Sequence, residues 1–172
     1  QQRVGVVVDE LVTVCTAYVP SAFLEIVEWL FIFNAEMMNK KIAEYFNGLQ
    51  VDLIHISQAF AVDNKSPQIE PVHIFRALLH KSAGLVNYIE DSLNEDYYYL
   101  IDWCDIHIQQ CDKSPYPMKK AEFSRDSQNV IKEAISLEEQ YGTETHKLEF
   151  LLTALVSPGV GFSSEQLKTM PL

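Results

Sequence analysis

The sequence predicts an all-α protein built from a duplicated helical unit. Three observations carry that prediction. Apolar residues recur at helical spacing along most of the 172 residues. No Asn-Gly or Asp-Gly pair lies between two alternating runs, so no hairpin is signalled. One order of helices also occurs twice, at an offset of about 76 residues, and duplication at this length marks paired units that cover each other's apolar faces.

In chain order, a first helix is expected over about Val6 to Tyr18. Pro20-Ser21 opens a second, with Phe23, Ile26, Val27, Leu30 and Phe31 on one face, and the two make an N-terminal hairpin. A third runs from about Met38 to Asn47, with Ile42, Tyr45, Phe46 and Leu49 as its apolar stripe and Gly48 as its stop.

From Gln50 the duplication begins. The first copy has a helix from Val51 to Val62, the polar loop Asp63 to Pro67, then Ile69-Glu70-Pro71 and a helix over Val72 to Leu79. The second has a helix from Ser127 to Gln140, the loop Tyr141 to Thr145, and a helix over Leu148 to Leu155. Each copy passes a Gly-containing turn, Ser82-Ala83-Gly84 or Pro158 to Gly161, into a shorter amphipathic segment, Leu85 to Leu93 or Ser163 to Met170. A long helix from about Asp96 to Gln110 and a linker, Asp112 to Glu122, with Pro115 and Pro117, stand between the copies.

Composition narrows the partners. Thirteen Lys and Arg against 24 Asp and Glu leave a formal net charge of −11, which repels nucleic-acid phosphates and anionic lipid. Cys15, Cys104 and Cys111 are too few, and odd in number, for a secreted disulfide framework, so a reducing, cytoplasmic setting is expected. The most apolar stretch, Val4 to Phe33, is broken by Asp9, Glu10, Pro20, Glu25 and Glu28 and falls short of the roughly 20 apolar residues of a membrane span. It has no basic start or small-residue cleavage site of a signal peptide. A first residue of Gln rather than Met is read as the start of a fragment or of appended residues.

Candidate chemistry is sparse. No Gly-rich loop ends in Lys-Ser or Lys-Thr, so no ATP-hydrolysing machinery is expected in this stretch. Cys104, His107 and Cys111 stand at i, i+3 and i+7 and would share a face on one continuous helix, but a fourth zinc ligand is not evident and inert, buried cysteines are expected. His73 opens a strongly apolar helix with no nucleophile and orienting carboxylate to serve, and is expected to pack or cap. The pairs Glu90-Asp91, Glu95-Asp96 and Glu138-Glu139 are adjacent in sequence and diverge on a helix, which suits a solvated surface. No catalytic, metal or cofactor residue is therefore assigned.

The run Gln68-Ile69-Glu70-Pro71-Val72-His73-Ile74-Phe75-Arg76-Ala77-Leu78-Leu79 resembles the repeat signature of the amino-terminal domain of the Clp family of AAA+ unfoldases. The second copy, with Gly142 and then Phe150 to Leu155, is similar to that family's second repeat, although Glu149 stands where the first has His73. The resemblance covers about Met38 to Leu172 and implies a double Clp-N motif, two pseudo-twofold related four-helix repeats with an extra N-terminal helical segment. Its implied parts are repeat one (50–111), linker (112–122) and repeat two (123–172) within a 38–172 domain. Residues 1–37 stand outside it as a hairpin, an appended stretch or a partner-like segment.

What the resemblance implies for function is a substrate- or adaptor-recognition domain ahead of an ATPase ring, monomeric by itself and hexameric in the parent chain. The disaggregase and type VI secretion sheath-recycling branches (ClpB-like and ClpV-like) look closest. The family's groove for an apolar or amphipathic helical peptide carries over to Phe46, Asn47, Ile131, Leu137 and Phe150, and the sheath-recycler pattern adds Ile42 and Tyr45. The alternative is a free-standing helical interaction or regulatory protein with Clp-N-like repeats. The run Tyr97-Tyr98-Tyr99 with Trp103 departs from the family pattern.

Overall fold

A computed structural model describes residues 32, 36, 37, 40–49, 52–83, 85–93, 96–142 and 147–171. The helices expected over Val6 to Tyr18 and from Pro20 lie outside the described residues. The chain divides into two compact units, Gln1–Lys41 and Ile42–Leu172. In the first, the described residues 32, 36, 37, 40 and 41 are helical.

Among its described residues the second unit is all-α apart from two very short strands. Residues 42–47 are helical (α1), followed by α2 (Leu53–Asp63), β1 (Gln68–Ile69) and α3 (Pro71–Leu78). A 3-10 turn at Lys81–Ala83 leads to α4 (Leu85–Tyr88), which widens into π-helix over Ile89–Leu93, and α5 (Tyr97–Gln110) follows. Next come β2 (Glu122–Phe123), α6 (Arg125–Tyr141), α7 (Lys147–Val156) and α8 (Ser164–Thr169). Among the described residues no helix is long and apolar enough to cross a membrane.

Local chemistry sets the helix ends. The Asp52 carboxylate accepts the His55 N–H at 3.3 Å and starts α2 two residues later than the expected Val51. Asp96 caps α5 by accepting the Tyr98 N–H at 2.9 Å, and Ser163 and Gln166 form a reciprocal box at the start of α8. The Ser124 hydroxyl caps α6 at the Ser127 N–H, which starts that helix at Arg125 rather than Ser127. Gly142 ends it with φ +65°, a left-handed conformation that glycine adopts without a Cβ clash.

Duplication is visible in the packing. The most extensive contacts are α2 with α3 and α6 with α7, the first two helices of each copy. Helix α3 joins the copies, touching α2, α5, α6, α7 and β1, and seven of its eight residues are buried, with only Arg76 reaching toward solvent. Phe75 on α3 meets Trp103 and Phe162 at ring-centre distances of 6.2 Å each, while Trp103 and Phe162 meet edge-on at 5.3 Å. The loop holding Phe162 lies so close to α6 that a Cβ at Gly161 would run into Val130 Cγ2.

The strands were not expected, because two residues are too short to show alternation. They pair in parallel, Gln68 with Glu122 and Ile69 with Phe123. They do not follow the duplication, since β1 precedes the second helix of its copy and β2 the first of the other. The Ile69 carbonyl accepts both the Ser124 N–H, at 3.1 Å, and the Ser127 hydroxyl, at 2.6 Å. Both serines are buried, so these two hydrogen bonds between the copies are shielded from water.

His73 caps α3. Its Nδ1 accepts the Glu70 N–H at 2.8 Å, and its own N–H donates to the Glu70 carbonyl at 2.9 Å. Nε2 is buried without a partner. Burial pushes the imidazole down to about 4 from its ordinary 6.5. Stability from the neutral ring is therefore complete above pH 6.5 and lost as pH falls toward 4, where the unfolded chain holds the extra proton. The full effect is about 3 kcal/mol. Burial, helped by the Asp126 and Asp112 charges, raises the Glu70 carboxyl, which opposes this trend. We expect His73→Gln, whose amide oxygen reaches the same N–H, to flatten the fall in melting temperature between pH 6.5 and 4. An unchanged acid limb would show that another group titrates.

Candidate functional site

The residues to which the sequence assigns a groove lie on α1, α6 and α7. Ile42, Tyr45, Phe46 and Ile131 are buried, Leu137 and Phe150 are half-buried, and Asn47 is exposed. The apolar stripe of α1 therefore faces the body of its unit. The Phe46 ring stacks on Phe123, next to the α6 cap, at 5.7 Å, and packs edge-on against Tyr45 at 5.8 Å. At the other end of α6, the Tyr45 hydroxyl donates to the Lys147 carbonyl at 2.9 Å.

Burial, and secondarily the Glu138 charge, raises the Tyr45 phenol well above its ordinary range, so the hydroxyl stays a donor. Lys147 Nζ pairs with Glu138 at 3.1 Å, and both side chains are largely shielded. The same ammonium lies 2.7 Å from where a Cβ on Gly48 would sit, so a larger residue there would push the lysine aside. Tyr45, Glu138 and Lys147 thus bind α1 to the α6–α7 corner.

Beside that corner is an apolar patch. Leu137 and Tyr141 are four residues apart on α6 and share a face. The Tyr141 ring stacks on Phe150 of α7 at 6.1 Å, and Tyr141 is 61% exposed. Ile131 and Leu137, six residues apart, point about 120° from each other around the helix, so the structure does not bring these two onto one surface line. The sequence reading put Glu138 on a solvated surface and Tyr141 in the loop after the helix and gave Lys147 no role, whereas Glu138 is shielded in an ion pair and Tyr141 closes α6. Tyr141 was readable from its spacing to Leu137; the ion pair was not, because it bridges two helices across a loop.

The cysteine and histidine candidates of the sequence lie on and just after α5. Cys104 is fully buried and its thiol raised by burial, and the Cys111 thiol is pushed up to about 11, mainly by burial, so neither is a thiolate at neutral pH. Helix α5 ends at Gln110 and Cys111 continues in extended backbone, so the expected i, i+3, i+7 face is interrupted. His107 stacks on Trp103 at 3.9 Å, and its Nδ1 is hydrogen-bonded to the Trp103 carbonyl. Among the described residues no His, Cys, Asp and Glu group is gathered for a metal ion.

The fold defines a duplicated all-α bundle in which two helical repeats share one core. The chain belongs to the Clp repeat (R) N-terminal domain family, whose model matches residues 50–170. That family is a non-catalytic N-terminal domain of Clp-type chaperones. The fold is also similar to the crystal structure of the Hsp104 N-terminal domain from Candida albicans. The TM-score is 0.54 and the identity 15%, over 69% of this chain and 83% of that one. A chain from preliminary structural investigations of a malarial protein secretion system aligns with a TM-score of 0.56 and 17% identity, over 69% and 80%. No curated protein matches the sequence.

Tyr45→Phe keeps the ring and removes one donor. We expect it to cost about 1 kcal/mol of unfolding free energy in urea, because the hydrogen bond to the Lys147 carbonyl is lost. Phe46→Ala should cost about 3–5 kcal/mol through the cavity it leaves. Equal midpoints for wild type and both variants would mean that α1 does not stabilise this unit.

Proposed function

We propose that this domain recognises protein partners for a Clp-type AAA+ unfoldase and takes an apolar or amphipathic helical peptide along the α6–α7 corner. The observation that carries the reading is the half-open patch of Leu137, Tyr141 and Phe150 beside the α1 anchor. Aromatic side chains offer large contact area with few torsions to immobilise, which favours their use in recognition. The buried Ile42, Tyr45, Phe46 and Ile131 act as a supporting floor rather than as direct contacts, and the exposed Asn47 supplies a polar rim.

On this reading, residues 38–172 form the recognition domain, with repeat one at 50–111, a linker at 112–122 and repeat two at 123–172. Residues 1–37 lie outside that domain, as an added hairpin, an appended stretch or a partner-like segment. The parent chain carries the ATPase, assembles as a hexamer and works in the cytoplasm, as a disaggregase or a type VI secretion sheath recycler. Family membership supports a protein partner, and the helix ahead of the first repeat resembles that of the sheath-recycling branch.

A partner helix that buries a Leu or Phe side chain against the patch gains roughly 1.5–3 kcal/mol per side chain. We expect Phe150→Asp to weaken binding of a labelled amphipathic helical peptide by at least roughly tenfold, read by fluorescence anisotropy, with the far-UV circular dichroism of wild type. Tyr141→Ser, which removes a largely exposed ring and its stacking on Phe150, should weaken it several-fold. If a folded Phe150→Asp domain binds the peptide as wild type does, the groove lies elsewhere.

A further inference from the structure

The tyrosine run of α5 takes no part in the α6–α7 corner, yet it presents an exposed aromatic surface of its own. Leu100, Trp103, Cys104 and Ile108 turn inward. On the opposite side Tyr98, Tyr99 and Ile106 are 61%, 66% and 56% exposed, with the exposed Asp102 between them. Positions 98, 99, 102, 105 and 106 fall within about 120° of one another around the helix, so these side chains form one stripe.

Two features of the stripe state what would cover it. The first is charge. Helix α5 contains no Lys or Arg, and its solvent side carries Asp102 and Asp105. Asp105 is paired with Arg76 of α3 at 2.9 Å. The second is rigidity. The Tyr98 ring stacks on the buried Tyr97 at 4.3 Å, so it is held on the surface in advance of any partner. Aromatic faces attract cations, more strongly Arg than Lys, and a carboxylate within the same stripe attracts them again.

We propose that this face of α5 is a second docking surface, and that its occupant is a helical segment of a partner protein carrying arginine beside apolar residues. The guanidinium lies over the Tyr98 or Tyr99 ring and pairs with Asp102, while an apolar residue one or two turns along covers Ile106. This surface is independent of the α6–α7 groove, and it accounts for the aromatic run that the groove leaves without a role.

The test uses the whole chain and three labelled 18-residue amphipathic helical peptides, identical except that the flanking residues of the apolar stripe are Arg, Lys or Glu. The Arg peptide should bind this face more tightly than the Lys peptide, and the Glu peptide should not bind it. Raised salt should weaken binding. Tyr99→Ser combined with Asp102→Asn should reduce affinity for the Arg peptide by roughly tenfold, because one ring–cation contact and one charge partner are lost. Both side chains are exposed, so folding is checked by circular dichroism and by retained groove binding of an uncharged amphipathic peptide. Either of two results overturns the proposal: equal binding of the Arg and Glu peptides, or an unchanged affinity in the double variant. Concentration-dependent self-association of wild type that the same double variant abolishes also overturns it, by making the occupant a second copy of this chain.

Discussion

A buried helix start holds the domain together. Helix α3 passes through the centre of the unit with almost every residue covered, so the N–H groups of its first turn have no water to turn to. Pro71 at the first position removes one of these donors, and its ring presets the helical backbone angle. His73 and Glu70 satisfy one another across the first turn. Because α3 touches helices of both copies, the shape of this start decides how the copies meet.

The seam follows from that constraint. Ile69 lies immediately before the cap, and its carbonyl receives two donors from the start of α6, the Ser124 N–H and the Ser127 hydroxyl. The beginning of α3 and the beginning of α6 are thereby tied at buried atoms, where a missing partner costs more than it would at the surface. The aromatic cluster of Phe75, Trp103 and Phe162 fills the space on the far side. The Trp103 indole N–H reaches Thr169 of α8 at 3.1 Å, which ties the last helix to α5. The surfaces proposed for recognition rest on helices fixed by this arrangement, α6 and α7 at one place and α5 at another.

Much of the order of helices was legible in the sequence, because it rests on local signals. Apolar spacing, Pro71, Gly48 and Gly142 mark where helices begin and end within a residue or two, and the offset between the copies gives α7 as the counterpart of α3. The family signature around Glu70-Pro71 and His73 was readable for the same reason, since a cap is a contact over three residues. The expected groove was less legible. Helical periodicity distinguishes an apolar face from a polar one, but it does not say whether that face meets its own core or stays open for a partner. Ile131 and Leu137 are both apolar residues of α6, and one is fully buried while the other is half open.

The sequence by itself determined an all-α, duplicated, acidic domain with a histidine that packs or caps rather than catalyses, since periodicity, composition and short-range spacing depend only on neighbours along the chain. Tertiary structure alone decided the rest. It placed Tyr45 against Lys147, set Phe46 on Phe123 and paired β1 with β2. It also turned Tyr98 and Tyr99 outward while Tyr97 went in. These outcomes join residues far apart in the chain, or separate adjacent ones by the direction in which a helix packs, and neither is encoded in local spacing.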